Sequence, residues 1–372
     1  MRGKINILLF ISPKIRHPPK DNMTRQKRIM ILGGNYVQAL ATKVAKELGY
    51  YVISTDLHED NPGHKIADEY CKIDIIDKYA VLREAQRLEI DGITPFCSDV
   101  LAPIAAYVQD KMNLPGNPYD TVDILTHKHR IREFMHNNGF LAPRCIQIKT
   151  LEEAIKAYKK LTSDRTNSLM LKPTDSAGSK GVFKIDNIDD IKKKWEESLD
   201  NSPSRTLILE DFIDKSGKQQ GGDIFVLDGK IIFWGIGDQY MCPDEPFVPM
   251  SLVYPSTHTK TSLQKGKETV QALLAKLNFK QGPCNVEYIV DKDENIWILE
   301  IGPRNGGNMI PLMLEKATGV KLTEMTIKTA VGDNIDIPEQ KLLSYAMYTS
   351  ERINGKSTNF KIITNDKPLT PP

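Results

Sequence analysis

The spacing of apolar positions changes several times along the chain, and each change marks an element. From residue 28 onward, short apolar runs alternate with stretches whose apolar residues recur every three or four positions. Residues 28–32 read as a strand and Gly33-Gly34-Asn35 as a turn. Val37, Leu40, Val44 and Leu48 read as the buried face of a helix stopped by Gly49. Strands follow at 51–55, 70–74 and 92–95, with helices over 78–88 and 102–112. This alternation predicts a parallel sheet covered on both faces. Leu114-Pro115-Gly116-Asn117-Pro118 breaks it and closes a first unit, 28–118.

A second pattern runs from 119 to 213. It predicts a helix over 127–138, a strand over 144–148, and a helix capped by Thr150 with Glu152 and Glu153 in its first turn. Ala154, Ile155, Tyr158 and Leu161 form that helix's inner face. Strands at 168–172 and 182–185 flank a small-residue segment, and a helix over 188–199 and a strand over 207–210 complete an α+β unit. The next unit, 214–335, holds a hairpin around Asp228-Gly229 and a long helix through Leu263, Val270, Leu273, Leu274 and Leu277. A second hairpin joins 284–290 to 295–300, and helices over 310–318 and 322–331 follow. The last segment, 336–372, offers a strand over 343–349, a turn at Asn354-Gly355 and a return over 360–363. It reads as a reduced hairpin or a truncated subdomain. Residues 1–27 are basic and Pro-rich, without the small-residue cleavage site of a signal peptide. A disordered arm, or an upstream start with Met23 as the true one, is expected there.

Composition narrows the function classes. The 372 residues carry 50 Lys plus Arg against 48 Asp plus Glu. That balance argues against nucleic acid as a partner. No apolar run approaches the ~20 residues of a membrane span. The five cysteines, Cys71, Cys97, Cys145, Cys242 and Cys284, form no C-x-x-C pair, so neither a zinc site nor a redox motif is signalled. A cytoplasmic enzyme with reduced thiols is expected. The turn Gly33-Gly34-Asn35-Tyr36-Val37-Gln38 lacks the spacing and third glycine of G-x-G-x-x-G, which argues against a nicotinamide oxidoreductase.

Four features carry chemistry together. Lys172 ends a strand and is followed by Ser176-Ala177-Gly178-Ser179-Lys180-Gly181, whose small residues let backbone N–H groups approach phosphate oxygens. Leu209-Glu210-Asp211-Phe212-Ile213 ends a buried strand in a way that presents backbone to a flat heterocycle. Glu287 and Glu300 each sit in an apolar strand of one hairpin. Facing carboxylates repel unless a cation lies between them. Gly302-Pro303-Arg304-Asn305-Gly306-Gly307 follows directly, with an arginine suited to a phosphoryl or carboxylate group.

In this order the motifs resemble the ATP-grasp superfamily, from about residue 29 to 332, and within it the carbamoyl-phosphate-synthase-like and biotin-carboxylase-like carboxylate–amine ligases. The resemblance implies a Rossmann-like domain followed by a two-subdomain ATP-grasp fold. It implies that Lys128 and Lys172 meet ATP phosphates and that the loop Ser176 to Gly181 closes over them. Glu210, Asp211, Phe212, Ile213 and Leu299 would line the nucleotide pocket, and Glu287 and Glu300 would hold Mg²⁺ or Mn²⁺. Arg304 and Lys172 would be catalytic, with Arg304, Gly306 and Gly307 near the substrate. Many members have Asn two residues after the second metal glutamate; here that position is Gly302, so water would complete the metal's shell. The expected activity joins a small-molecule carboxylate to an amine, or to a thiol, through an acyl phosphate. A purine-pathway or biotin-carboxylase-like enzyme is the alternative, and a non-catalytic nucleotide binder is the reading from another class. A homodimer is among the assemblies allowed.

Overall fold

The computed structural model describes residues 25–164, 168–176, 178–353 and 356–371. The expected arm up to residue 24, the Met23 start, Ala177 and the Asn354-Gly355 turn lie outside the described residues.

The first strands and helices are β1 (Arg28–Leu32), α1 (Tyr36–Glu47), β2 (Tyr51–Asp56), β3 (Glu69–Lys72), α2 (Lys78–Arg87), β4 (Gly92–Thr94) and α3 (Ala102–Met112). Their sheet runs β3-β2-β1-β4, and its three pairings are parallel. On one face Met30, Leu32 and Ile53 pack against Val81, Ala85, Ala105 and Val108 of α2 and α3. The other face corrects the expected helix stripe. Gln38, Ala41, Thr42 and Ala45 of α1 are the buried residues, while Val37, Leu40, Val44 and Leu48 lie half-buried. Small side chains let the helix approach the sheet closely, so the largest apolar residues are displaced to its flanks.

The next block comprises α4 (Tyr119–Thr126), α5 (Lys128–Asn137), β5 (Cys145–Ile148), α6 (Leu151–Leu161), β6 (Leu169–Pro173), β7 (Phe183–Ile185), α7 (Ile188–Asp200) and β8 (Leu207–Asp211). Its antiparallel sheet runs β5-β8-β6-β7. The Thr150 side chain accepts the Glu153 N–H, and Asn187 with Asp190 forms a capping box on α7. Helix α4 has no counterpart in the sequence reading. It is two turns long and rich in β-branched residues, too short for a helical period to show.

The remaining elements are β9 (Gln219–Leu227), β10 (Lys230–Met241), β11 (Pro249–Tyr254), α8 (Lys260–Lys276), β12 (Gly282–Val290), β13 (Ile296–Gly302), α9 (Ile310–Thr318), α10 (Leu322–Ala330), β14 (Tyr345–Ile353) and β15 (Lys356–Asn365). They form a sheet in the order β13-β12-β9-β10-β11-β14-β15. Strand β11 was hidden by Pro246 and Pro249, which read as loop. It matters because β14 pairs with it. The C-terminal hairpin therefore extends this sheet and is no separate layer.

Helix α10 bridges two sheets: Leu322 and Met325 pack with Phe225, Phe233 and Leu314 against the sheet that precedes it. Ile327 and Val331 pack with Ile29, Ile31 and Val52 on the parallel sheet. Contact is so close that a Cβ at Gly92 would lie 2.1 Å from the Ala330 carbonyl oxygen. Lys27 Nζ adds an ion pair to Asp333 at 2.5 Å. This packing seats the first domain's loop beyond β4 against the loop beyond β13.

Candidate active site

Strands β12 and β13 pair antiparallel, with Glu287 directly opposite Glu300 and a register shift between Glu287 and Tyr288. Val286, Tyr288 and Ile301 face the core, so alternation turns the neighbouring Glu287 and Glu300 to the opposite face, and the extra residue Leu299 at the register shift lets Ile298 face the core as well. Glu287 accepts from Gln239 Nε2 at 3.0 Å and from Gln219 Nε2 at 3.2 Å. Burial, then the Glu300 charge, push its carboxyl above the usual range, against the pull of Gln239. Two amides orient Glu287 without neutralising it.

Arg304 follows in the next loop and pairs with Asp99 of the first domain. Position 302 makes room for this pair. A Cβ at Gly302 would lie 2.4 Å from Asp99 Oδ1. Behind Arg304 the loop is anchored by Asp223, a fully buried carboxylate that accepts the Gly306 N–H at 2.8 and 2.9 Å and Asn285 Nδ2 at 2.9 Å. Burial raises the Asp223 pKa to about 6, opposed by Gly306, Asn285 and Arg304. Cys97 Sγ donates to the Gly306 carbonyl at 3.0 Å. Both backbone polar atoms of Gly306 are thus engaged within the protein. They hold the loop, and Gly306 lies outside the lining of the cleft. Gly307 does face open space, where a Cβ would meet nothing within 4 Å.

On the neighbouring sheet Lys172 Nζ donates to Glu210 Oε1 at 2.5 Å, and Arg132 Nε to Glu210 Oε2 at 3.0 Å. Burial raises the Glu210 pKa, but Arg132 and Lys172 outweigh it and lower the carboxyl to about 2. One anion between two cations leaves the cluster with a net positive charge. Arg132 also donates to the carbonyls of Ile298 at 3.3 Å and Leu299 at 2.8 Å. It therefore ties β8 to the strand that carries Glu300. Lys128 Nζ reaches the Ser176 carbonyl at 3.0 Å and Glu300 Oε1 at 3.6 Å. The Asp211 carboxylate is held by Arg144 at 2.8 and 3.1 Å, so its side chain is turned to the fold. Phe212 donates its N–H to Ser168, and both Phe212 and Ile213 are half-buried at the strand's end.

Gly178, Ser179, Lys180, Glu287, Glu300, Arg304 and Gly307 line one cleft of about 420 Å³. Ser179 adopts φ 57° between Gly178 and Gly181, which are left-handed at 71° and 69°. Lys128 and Ser176 share an adjoining pocket of about 170 Å³ with Glu300. Lys172, Glu210, Asp211, Phe212, Ile213 and Leu299 lie outside both linings, on the strands behind them. The sequence reading missed Arg132, Gln219, Gln239, Asp99 and Asp223. Of these, only Asp223 carried a signal, as an acid inside an apolar strand.

Comparison with known proteins agrees with this geometry. Residues 166–311 match the ATP-grasp domain. A formate-dependent phosphoribosylglycinamide formyltransferase of Prochlorococcus marinus strain MIT 9515 is 27% identical over 196 residues, covering 51% of this chain and 48% of that protein. The chain thus aligns with about half of that relative. An L-amino acid ligase from Bacillus licheniformis superposes with a TM-score of 0.75 at 20% identity, covering 89% of this chain and 81% of that one. The biotin carboxylase domain of the Hydrogenobacter thermophilus 2-oxoglutarate carboxylase, in complex with MgADP, ADP and bicarbonate, does so at 0.72 and 16%, over 87% and 74%. With the paired glutamates, the following arginine and the small-residue loop brought to one cleft, the segment 166–311 is an ATP-grasp domain.

Proposed function

We propose that the protein is an ATP- and Mg²⁺-dependent ligase joining a carboxylate to an amine through an acyl phosphate, with release of ADP and phosphate. The observation that carries the reading is the meeting of Glu287, Glu300, Arg304 and the Gly178–Lys180 backbone in one cleft. An amine does not displace oxide or hydroxide from a carboxylate at neutral pH. When a carboxylate oxygen attacks the γ-phosphorus, the bond to the β-phosphate oxygen breaks and ADP leaves. The amine, as free base, then attacks the acyl carbon. Phosphate departs with the bonding pair, and the surplus amine proton passes to it or to water.

Lys128 and the positively charged Lys172–Glu210–Arg132 cluster would receive the nucleotide phosphates, beneath the loop of residues 176–181. The Asp211 carboxylate is occupied by Arg144, so Asp211 and Ile213 would read the base through their backbone. Arg304 would spread the charge of the transferring phosphoryl group over two donors. The carboxylates of Glu287 and Glu300 are adjacent and only Glu300 has a cation near it, Lys128 at 3.6 Å, so the pair suits a hard cation. No set of three His, Cys, Asp or Glu side chains converges on a metal position among the described residues, so phosphate and water oxygens would supply the other ligands. Bound there, Mg²⁺ or Mn²⁺ would offset the charge of the phosphates. Among the described residues no helix is long and apolar enough to cross a membrane.

Two results test this reading. In thermal denaturation, Mg-ATP at ~100 times its dissociation constant should add about 2.7 kcal/mol. NAD(H) and NADP(H) should add nothing, and the reverse pattern would overturn the assignment. Glu287→Gln and Glu300→Gln should each weaken apparent Mg²⁺ affinity in phosphate release by at least ~10-fold. Without metal, both variants should be no less stable than wild type, since each removes a like-charge repulsion. Unchanged magnesium dependence in both would show that these carboxylates are not ligands.

A further inference from the structure

We propose that the carboxylate substrate is an α-amino acid with an apolar side chain, and that Asp99 receives its ammonium group. The inference rests on the ligase reading of the same cleft and narrows it. Asp99 comes from the first domain, yet it lines the cleft beside Glu287, Glu300 and Arg304. Its side chain is 17% exposed and that of its partner Arg304 12%. The pair occupies space that position 302 leaves open: a Cβ there would lie 2.4 Å from Asp99 Oδ1 and 3.0 Å from Arg304 Cζ.

A substrate carboxylate that takes Arg304 must part it from Asp99. With a simple carboxylate, Asp99 would lose its Arg304 partner and be left as a third carboxylate beside Glu287 and Glu300, and breaking a largely buried ion pair in this way is strongly unfavourable. A zwitterion avoids this. Its carboxylate replaces Asp99 on Arg304 while its ammonium replaces Arg304 on Asp99, charge for charge. An α-amino acid holds its two groups one carbon apart, matching two protein groups already in contact. Of the remaining lining, Gln239, Asn285, Cys97 and Asn308 have their polar groups engaged with Glu287, Asp223, Gly306 and Tyr348, and Val248, Pro249, Ile310, Tyr348 and Phe360 give an apolar wall. Among the described lining residues the cations are Lys180 and Arg304. Both are assigned to the ATP reaction, which leaves none for a second phosphate-bearing substrate.

The test measures phosphate release from Mg-ATP with hydroxylamine as acceptor, after Mg-ATP binding has been verified by thermal shift. Leucine and phenylalanine, each as both enantiomers, are compared with 4-methylpentanoate, 3-phenylpropanoate and formate. An amino acid should be preferred over its des-amino counterpart by at least ~10-fold, the scale of one charge-assisted bond. Asp99→Asn should reduce that preference to under ~3-fold, since only a neutral hydrogen bond remains. Gly302→Ala, which crowds Asp99 from its place, should reduce it similarly. Equal or better turnover of formate or the des-amino acids by wild type would overturn the inference and leave the ligase reading standing. A preference unchanged in both variants would overturn the role of Asp99. Absence of release with every carboxylate would overturn the ligase reading itself.

Discussion

Arg304→Lys is expected to lower carboxylate-dependent phosphate release by ~10²-fold or more while changing ATP affinity little. Before substrate enters, the guanidinium is fixed from two sides. It pairs with Asp99, and its Nη1 donates to the Asn305 carbonyl at 3.2 Å. The loop beneath is held by Asp223 and Cys97 through Gly306. A planar donor so placed gives two directed hydrogen bonds to a phosphoryl group, and these gain strength as charge spreads over its oxygens. Lysine keeps the charge and can still meet Asp99, but it offers a single ammonium with no fixed plane. Nucleotide titration and phosphate release, measured on the same preparations, separate the two effects. Normal turnover in the variant would reduce Arg304 to a residue that closes its loop.

Arg132→Met is expected to destabilise the protein by ~3–5 kcal/mol, the range for breaking a buried ion pair. Its side chain is 1% exposed and makes three donor contacts, to Glu210 and to the Ile298 and Leu299 carbonyls. Without it Glu210 keeps only Lys172, and the Ile298 and Leu299 carbonyls lose their side-chain donor. Urea unfolding measures the loss, and Arg132→Lys should recover part of it. The same cluster sets an acid limit. The Glu210 pKa falls from its ordinary 4.5 to about 2 in the folded protein. Its contribution is therefore complete above about 4.5 and is lost as pH falls toward 2. Glu210→Gln should flatten the pH dependence of unfolding in that window. An unchanged slope would show that the pairing contributes nothing there.

The parts of the site legible in the sequence are those that break a local pattern. Glu287 and Glu300 stand out because an acid interrupts an apolar strand, and Lys172 because a strand runs into a loop of small residues. What remained hidden depends on distant segments meeting. Asp99 lies 205 positions before Arg304, and Arg132 lies 78 before Glu210. Gln219 and Gln239 look like ordinary polar strand residues until β9 and β10 align beside β12. In the fold, the helical and strand periods located most elements. Helix α4 was too short for its period to register, and prolines masked β11. The crossing of α10 onto the parallel sheet has no local signature, since Ile327 and Val331 are as apolar as any core residues.

The most direct measurement of the central claim follows oxygen from carboxylate to phosphate. Leucine labelled with ¹⁸O in its carboxylate is incubated with the protein, Mg-ATP and hydroxylamine, and both phosphate and nucleotide are analysed by mass spectrometry. An acyl phosphate carries one carboxylate oxygen on phosphorus, so the account predicts one ¹⁸O in inorganic phosphate for each hydroxamate formed, with ADP as the nucleotide product. Hydroxamate formed with the label in AMP, or with unlabelled phosphate, would contradict it.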